Sequence, residues 1–267
     1  QGQELLSWKI TAWFFDDLLR SAEHKYSGYS VNQISGPMVD LPQFLTDQHV
    51  VVDEKSASRY LARLQEFARV IAEVKLLVID DRDHGVVPPD FIVEKALIGM
   101  RAFSGTDVDS NPLVSSLLSR LDEVDEISQE RKDQLVTDAR VIVEQQIIPG
   151  YQGMITLFEE LLQQTDHHAG IWRLPDGDKI YINALQSNTT TTFSADEVHQ
   201  TGLDEVARIE SEMEAILVAG GFTEGSFVDR IQHLMTMPEH NFPNTDEGRR
   251  AQIDYLNEIN DQLMARI

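Results

Sequence analysis

Between Asp53 and Gly85 the chain carries Tyr60, Leu64, Phe67, Ile71 and Val74, apolar residues that return every three or four positions. That period gathers all five on one stripe of an α-helix, whereas a strand would scatter them over both faces. Asp53 or Ser56 can cap the start, because a short acceptor side chain satisfies a backbone N–H left free in the first turn. Gly85 marks the end.

The same period recurs along most of the chain. Residues Leu5 to Ala22 place Trp8, Ala12, Phe15 and Leu19 on one amphipathic face. From Tyr26 to Val52 the texture changes, with Gly28, Gly36, Pro37 and Pro42. An ordered loop with one short helix after Pro42 is expected there, burying Tyr29, Ile34, Met38, Leu41 and Phe44. Pro88-Pro89 starts a helix bearing Phe91, Ala96 and Met100, and Asn111-Pro112 starts a short one reaching Leu121. Ser128 opens a longer one with Leu135, Ala139, Ile142 and Ile147. Pro149-Gly150 falls inside that pattern, which resumes at Met154, Leu157, Phe158 and Leu161, so a kink or break is expected. Two more helices follow, from Phe227 to Met235 and from Thr245 onward, the last ordered by Ile253, Leu256, Ile259 and Leu263. No hairpin signal and no internal repeat interrupt them. The expected fold is all-α, a single domain over residues 1–267 with roughly eight to ten helices.

Charge narrows the partners. Lys and Arg number 22 against 45 Asp and Glu, a formal net charge of -23. Nucleic-acid backbones and anionic membranes would be repelled. The chain has no cysteine, which excludes disulfides, thiolate metal sites and cysteine nucleophiles. No apolar run approaches the roughly 18 residues that cross a bilayer, so no transmembrane segment is expected. The chain begins at Gln1 rather than Met, as expected of a mature or trimmed form whose export signal has gone.

The richest local signals lie between Leu174 and Glu214. Pro175-Asp176-Gly177-Asp178 is a turn sequence, and Lys179 to Ser187 is expected to form a short helix. Thr189 to Thr192 are β-branched and resist helix, so the chain should extend there. Ser194 and Glu197 form a capping box that restarts the helix. Leu203, Val206, Ile209, Met213 and Ile216 then predict a buried stripe. The threonine run has two readings. It is a linker whose hydroxyls bond their own backbone, or an extended edge lending hydroxyls and backbone groups to a bound peptide. His199 sits alone on its helix, where a histidine is ordinarily packed or solvent-facing.

Catalytic constellations are sparse. The eight histidines are His24, His49, His84, His167, His168, His199, His233 and His240, and none lies in H-E-x-x-H, which sets two imidazoles on one helical face. His167-His168 follows Asp166 at a helix end, and adjacent residues point apart. Asp80-Asp81-Arg82-Asp83-His84 reads as a solvated helix end. No nucleophile elbow, P-loop or dinucleotide fingerprint is present.

Six stations carry a resemblance: D-L-P-Q-F-L-T from Asp40, V-V-P-P-D-F-I-V-E-K-A-L from Val86, N-P-L from Asn111, I-I-P-G-Y from Ile147, G-I-W-R-L-P-D-G-D-K-I-Y from Gly170, and T-T-T followed by S-A-D-E-V-H-Q-T-G-L-D-E-V-A-R-I-E-S-E-M-E. In this order they resemble the N-terminal half of the bacterial family called domain of unknown function 885, whose members are commonly described as lipoproteins. The resemblance implies a multi-helix array forming one lobe of a zincin-like cleft in a zinc-dependent peptidase. In that family the metal motif H-E-A-x-P-G-H lies in the C-terminal half, which this sequence does not contain. No catalytic or metal residue is therefore carried over, and zinc is expected in the missing half. The partners implied are a peptide substrate and that half, in the periplasm or cell envelope. Tyr181, Asn188, Thr189, Thr190, Thr191 and His199 are the candidate substrate-binding residues. The family often has a second aromatic after the tyrosine and a histidine before the threonines, where this chain has Ile182 and Asn188. The competing expectation is a non-enzymatic helical binding or scaffold protein. A hydrolase working through carboxylates alone is the third.

Overall fold

The computed structural model of the protein describes residues 2–266, all of their regular structure helical. The chain divides into two compact units, residues 1–192 and 193–267, over the range where the sequence patterning predicts one domain.

The first unit is built around the helix that the Tyr60–Val74 stripe foretold. Helices α1 (Gln3–Ala22), α2 (Pro37–Gln43) and α3 (Glu54–Asp83) are followed by α4 (Asp90–Ser104), α5 (Pro112–Asp122), α6 (Gln129–Ile142), α7 (Ile148–Leu162) and α8 (Gly177–Thr189). Asp53 caps α3 in a reciprocal box, accepting from Ser56 N at 2.6 Å while Ser56 Oγ accepts from Asp53 N at 3.0 Å. Tyr60, Leu64, Phe67, Ile71, Val74 and Val78 of α3 are buried against α6 and α7, and α4 pairs with α7. Leu113, Leu117 and Leu121 of α5 complete this core, with the buried Tyr60 hydroxyl donating to Leu113 O at 2.8 Å.

Both internal prolines are accommodated. The short helix starts at Pro37, before Pro42 rather than after it, so Pro42 lies inside α2. A proline in that position leaves the carbonyl four residues back, that of Met38, without its helical donor. The Tyr151 hydroxyl donates to that carbonyl at 2.6 Å across the core. A π-helical turn, Phe44–Gln48, follows directly; Met38 is buried, but Ile34 faces solvent and Phe44 is at the surface. A kink or break is expected at Pro149, but helix runs through it without interruption: a second π turn, Val143–Ile147, joins α6 directly to α7. The wider turn absorbs the backbone mismatch just before the proline, which then sits in the first turn of α7. Gly150 lets α7 approach α3: a Cβ there would stand 2.8 Å from Ile71 Cγ2.

The second unit holds α9 (Ala195–Ala219), α10 (Phe227–Thr236) and α11 (Asp246–Met264). Ser194 and Glu197 make the expected capping box on α9. Arg230 of α10 forks onto Glu214 of α9 at 2.9 and 2.6 Å.

Two expected stripes are not buried. On α9, Leu203, Val206, Ile209 and Ile216 are exposed, Met213 is half-buried, and Leu217 is the residue that the helix buries. On α1, Trp8, Phe15 and Leu19 are exposed and no residue is buried. Ile253, Leu256 and Leu263 of α11 are also exposed. Period identifies which side chains share a face; whether another element covers that face depends on packing partners that period does not report.

Candidate substrate-binding site

Helix α8 presents most of the candidate residues, and the turn before it sets its position. A 3₁₀ turn, Ile171–Arg173, and Leu174 lead into the turn at Pro175-Asp176. Gly170, at φ +122, lies under the Trp172 indole, and a Cβ there would come within 2.3 Å of the ring. Gly177 is equally constrained, since a Cβ would lie 2.2 Å from Ile171 O. Asp176 takes a left-handed conformation at φ 56 and pairs with Lys179 at 2.7 Å. Hydrogen bonding to that ammonium holds the Asp176 carboxyl below the usual aspartate range. Ile180 and Leu174 form a small core with Val86, supported by Tyr26, Tyr29 and Ile171.

One side of α8 is tied to α1. Asn183 Nδ2 donates to Ser21 Oγ at 3.1 Å, and the Ser187 hydroxyl donates to Asp17. The opposite side carries Tyr181, Leu185 and Asn188, which share a face at helical spacing. Tyr181 and Ile182 are exposed, and Asn188 Nδ2 donates to Ala184 O at 2.8 Å.

The threonine run departs from its expected form. Thr189 is the last residue of α8, and Thr190 is left-handed at φ 53, so the segment closes a helix rather than extending as an edge. Two of its backbone donors are already used: Thr190 N reaches Gln186 O at 2.9 Å and Thr191 N reaches Thr189 Oγ1 at 3.3 Å. Thr189 Oγ1 donates to Leu185 O at 2.7 Å and lies 2.8 Å from Thr191 Oγ1. β-branching disfavours helix interiors but does not prevent a last turn whose hydroxyls bond back to the helix. A β-branched residue at positive φ is an outlier that its surroundings must enforce.

The structure thus brings Tyr181, Asn188, Thr189, Thr190 and Thr191 together at one helix and its C-terminus. His199 belongs to the second unit, exposed on α9. Trp172, 73% exposed beside this turn, was not singled out by the sequence patterning. The available signal was Gly170, two residues before a bulky aromatic.

Histidine–carboxylate contacts occur in pairs: His167 Nδ1 to Asp90 at 2.9 Å and His168 Nδ1 to Asp166 at 3.3 Å. Among the described residues no three histidines or carboxylates converge as a metal site would require. The residues present do not fit a zinc centre, and no chemical step is assigned to them. Among the described residues no helix is long and apolar enough to cross a membrane.

A family model described as bacterial protein of unknown function, DUF885, matches residues 2–267. A solved structure described as "the putative lipoprotein from Colwellia psychrerythraea" superposes with a TM-score of 0.82 at 29% identity, covering 90% of this chain and 41% of that one. The chain thus spans less than half the length of that relative. No curated protein matches it.

Proposed function

Because the chain belongs to the DUF885 family of bacterial proteins, we propose that residues 1–267 form the substrate-side lobe of a zinc-dependent peptidase of the cell envelope. On this reading the fold is one wall of a zincin-like cleft. The metal and its chemistry come from family sequence outside residues 1–267, and this lobe holds the peptide. The observation that carries the reading is the exposed face of α8, where Tyr181 and Asn188 run up to a threonine in an enforced left-handed conformation. Strain of this kind concentrates at ligand-contacting positions. Because the Thr190 and Thr191 amides are used within their own turn, a peptide would meet the aromatic ring, the amide and the hydroxyls rather than add as a strand. The lipoprotein relative supports an envelope location, and its greater length supports a further lobe.

The test is turnover of a mixed peptide library by the full-length protein, with Tyr181→Ala and a Thr189→Ala/Thr190→Ala/Thr191→Ala variant alongside. Both variants should lower kcat/KM while retaining the wild-type melting profile. Unchanged kcat/KM in both would remove the binding role, and no turnover by any metal-loaded full-length preparation would remove the peptidase reading.

A non-enzymatic binding protein is the second reading. The uncovered apolar faces of α1 and α9 favour it, since large exposed apolar patches mark interaction surfaces.

A further inference from the structure

Residues 44–52 cross from α2 to α3 as the π turn Phe44–Gln48 and a short strip whose backbone is extended at His49 and again at Asp53. Val50 and Val52 of the strip face solvent, whereas Val51 and His49 are buried, His49 at 4% exposure. A titratable ring is thus seated where an apolar side chain would ordinarily plug the strip onto the core. Arg120 of α5 clamps the backbone around it, donating to Leu45 O at 2.9 Å and to His49 O at 2.7 Å.

The partners of the ring fix its protonation. Ser56 O lies 3.0 Å from Nε2, and a carbonyl can only accept, so Nε2 carries the proton. The Arg63 guanidinium meets Nδ1 and can only donate, so Nδ1 is a bare acceptor and the ring is neutral. The charges that bear on it are all positive: Arg63 and Arg59 from α3, and Arg120 from α5. Tyr60 of α3 packs edge to face at 5.2 Å, its hydroxyl given to Leu113 O. Nearby carboxylates are turned to other groups: Asp40 of α2 accepts from Gly36 N, Asp47 from Thr46 and Asp53 from Ser56. Burial first, and then the arginines, hold the imidazole below its ordinary range against the Ser56 bond.

From this arrangement we propose that His49 is an acid-released latch: a proton added at Nδ1 breaks the bond with Arg63 and frees residues 44–52 from α3 and α5. The added N–H meets the Arg63 N–H donor to donor and charge to charge, in a pocket with no carboxylate turned to it. Arg63 lies over the Phe44 ring at 5.2 Å, so its displacement also uncovers the start of the π turn. In the released strip the ring is hydrated and takes the proton at its ordinary pKa of about 6.5. The closed form is therefore at full strength above about pH 6.5 and weakens as pH falls toward the depressed value of the closed ring. Within that window the released fraction rises by up to about tenfold per pH unit, the linkage of one proton. The latch shares no residue with the face of α8 and does not depend on the peptidase reading.

Hydrogen exchange of the full-length protein, read by mass spectrometry on peptides covering residues 44–52, is the test. Labelling times are scaled at pH 7.5, 6.5 and 5.5 to cancel the intrinsic pH dependence of exchange. Between pH 6.5 and 5.5 the opening of this segment should rise by up to about tenfold, while the core of α7 from Tyr151 to Leu161 keeps its protection. His49→Gln can donate to Ser56 O and accept from Arg63 but cannot titrate, so its opening should not change with pH. Arg63→Met removes the opposing donor and one like charge, so the ring should resist a proton less and the total change should be smaller than in the wild type. A purely structural histidine would alter protection without altering its slope against pH. If His49→Gln has already lost protection at pH 7.5, the slope of Arg63→Met decides. Wild-type protection that does not change between pH 7.5 and 5.5, a wild-type slope retained in either variant, or an equal loss across α7 would each overturn the latch.

Discussion

Replacing Tyr151 by phenylalanine removes one oxygen from the core and leaves the ring in place against Phe67 and Phe103. No cavity of consequence opens, so the effect isolates the 2.6 Å hydrogen bond to Met38 O. Burial drives the Tyr151 hydroxyl far above the usual tyrosine range, so it remains a proton donor throughout the working pH range. Its acceptor is the carbonyl that Pro42 deprives of a helical donor, and Met38 is 5% exposed, so water does not replace the lost bond. The cost of leaving a buried acceptor unpaired is about 1–3 kcal/mol. At about 2–3 kcal/mol per molar urea, a value of about 2 kcal/mol moves the unfolding midpoint down by about 0.7–1 M. Tryptophan fluorescence is the assay, because Trp8, Trp13 and Trp172 all lie in residues 1–192 and report that unit alone. The decisive comparison is the Pro42→Ala background. The alanine restores an N–H four residues after Met38, so the carbonyl keeps a donor when the hydroxyl is gone. The Tyr151→Phe cost should then fall by about 1 kcal/mol or more, a coupling of the size expected for groups sharing one partner. An equal cost in both backgrounds would show that Tyr151 does not substitute for the donor that Pro42 lacks.

Thr190→Gly should stabilise the first unit by up to about 1 kcal/mol, because relief of the left-handed strain of about 1–2 kcal/mol exceeds glycine's added freedom in the unfolded chain; a lowered urea midpoint would contradict the strain. Gly177→Ala should destabilise by about 1–3 kcal/mol, since the new methyl meets the backbone carbonyl of Ile171, which cannot rotate away; wild-type stability in a urea melt would mean that the turn has room to spare. Hydrogen bonds from Ser56 lower the Asp53 carboxyl below its ordinary value, so Asp53 stabilises the fold above the unfolded aspartate pKa and loses that contribution as pH falls through its depressed folded value. Asp53→Ala should therefore be less stable than wild type at pH 7, with the gap closing in acid melts below about pH 4; a gap independent of pH would show that the carboxylate charge plays no part in the cap.

Much of the helical layout was legible from short windows. The boundaries at Asp53, Asn111, Ser128 and Ser194 rest on side chains bonding amides two or three residues ahead, and the nearby sequence contains all the groups involved. The candidate site was legible in part. The turn and helix from Pro175 to Ser187 follow from local chemistry, and they place Tyr181 and Asn188 on one face. The backbone of the threonines did not follow. β-branching argued for extension, yet Thr189 and Thr191 share hydroxyl bonds that close the helix instead. The apolar faces of α1 and α9 were expected in register but remain uncovered, because a stripe of leucine and valine looks the same whether or not something packs on it.

By itself, then, the sequence determined an all-helical chain, the period and caps of its main helices, the exclusion of thiol chemistry, and its family kinship. Those properties rest on interactions spanning a few residues or on composition. Tertiary structure alone decided that Pro42 sits inside a helix, because the donor that answers Met38 O comes from Tyr151, 113 residues away. It also decided which stripes became core. Distant partners set these outcomes, and no local period encodes a partner's position.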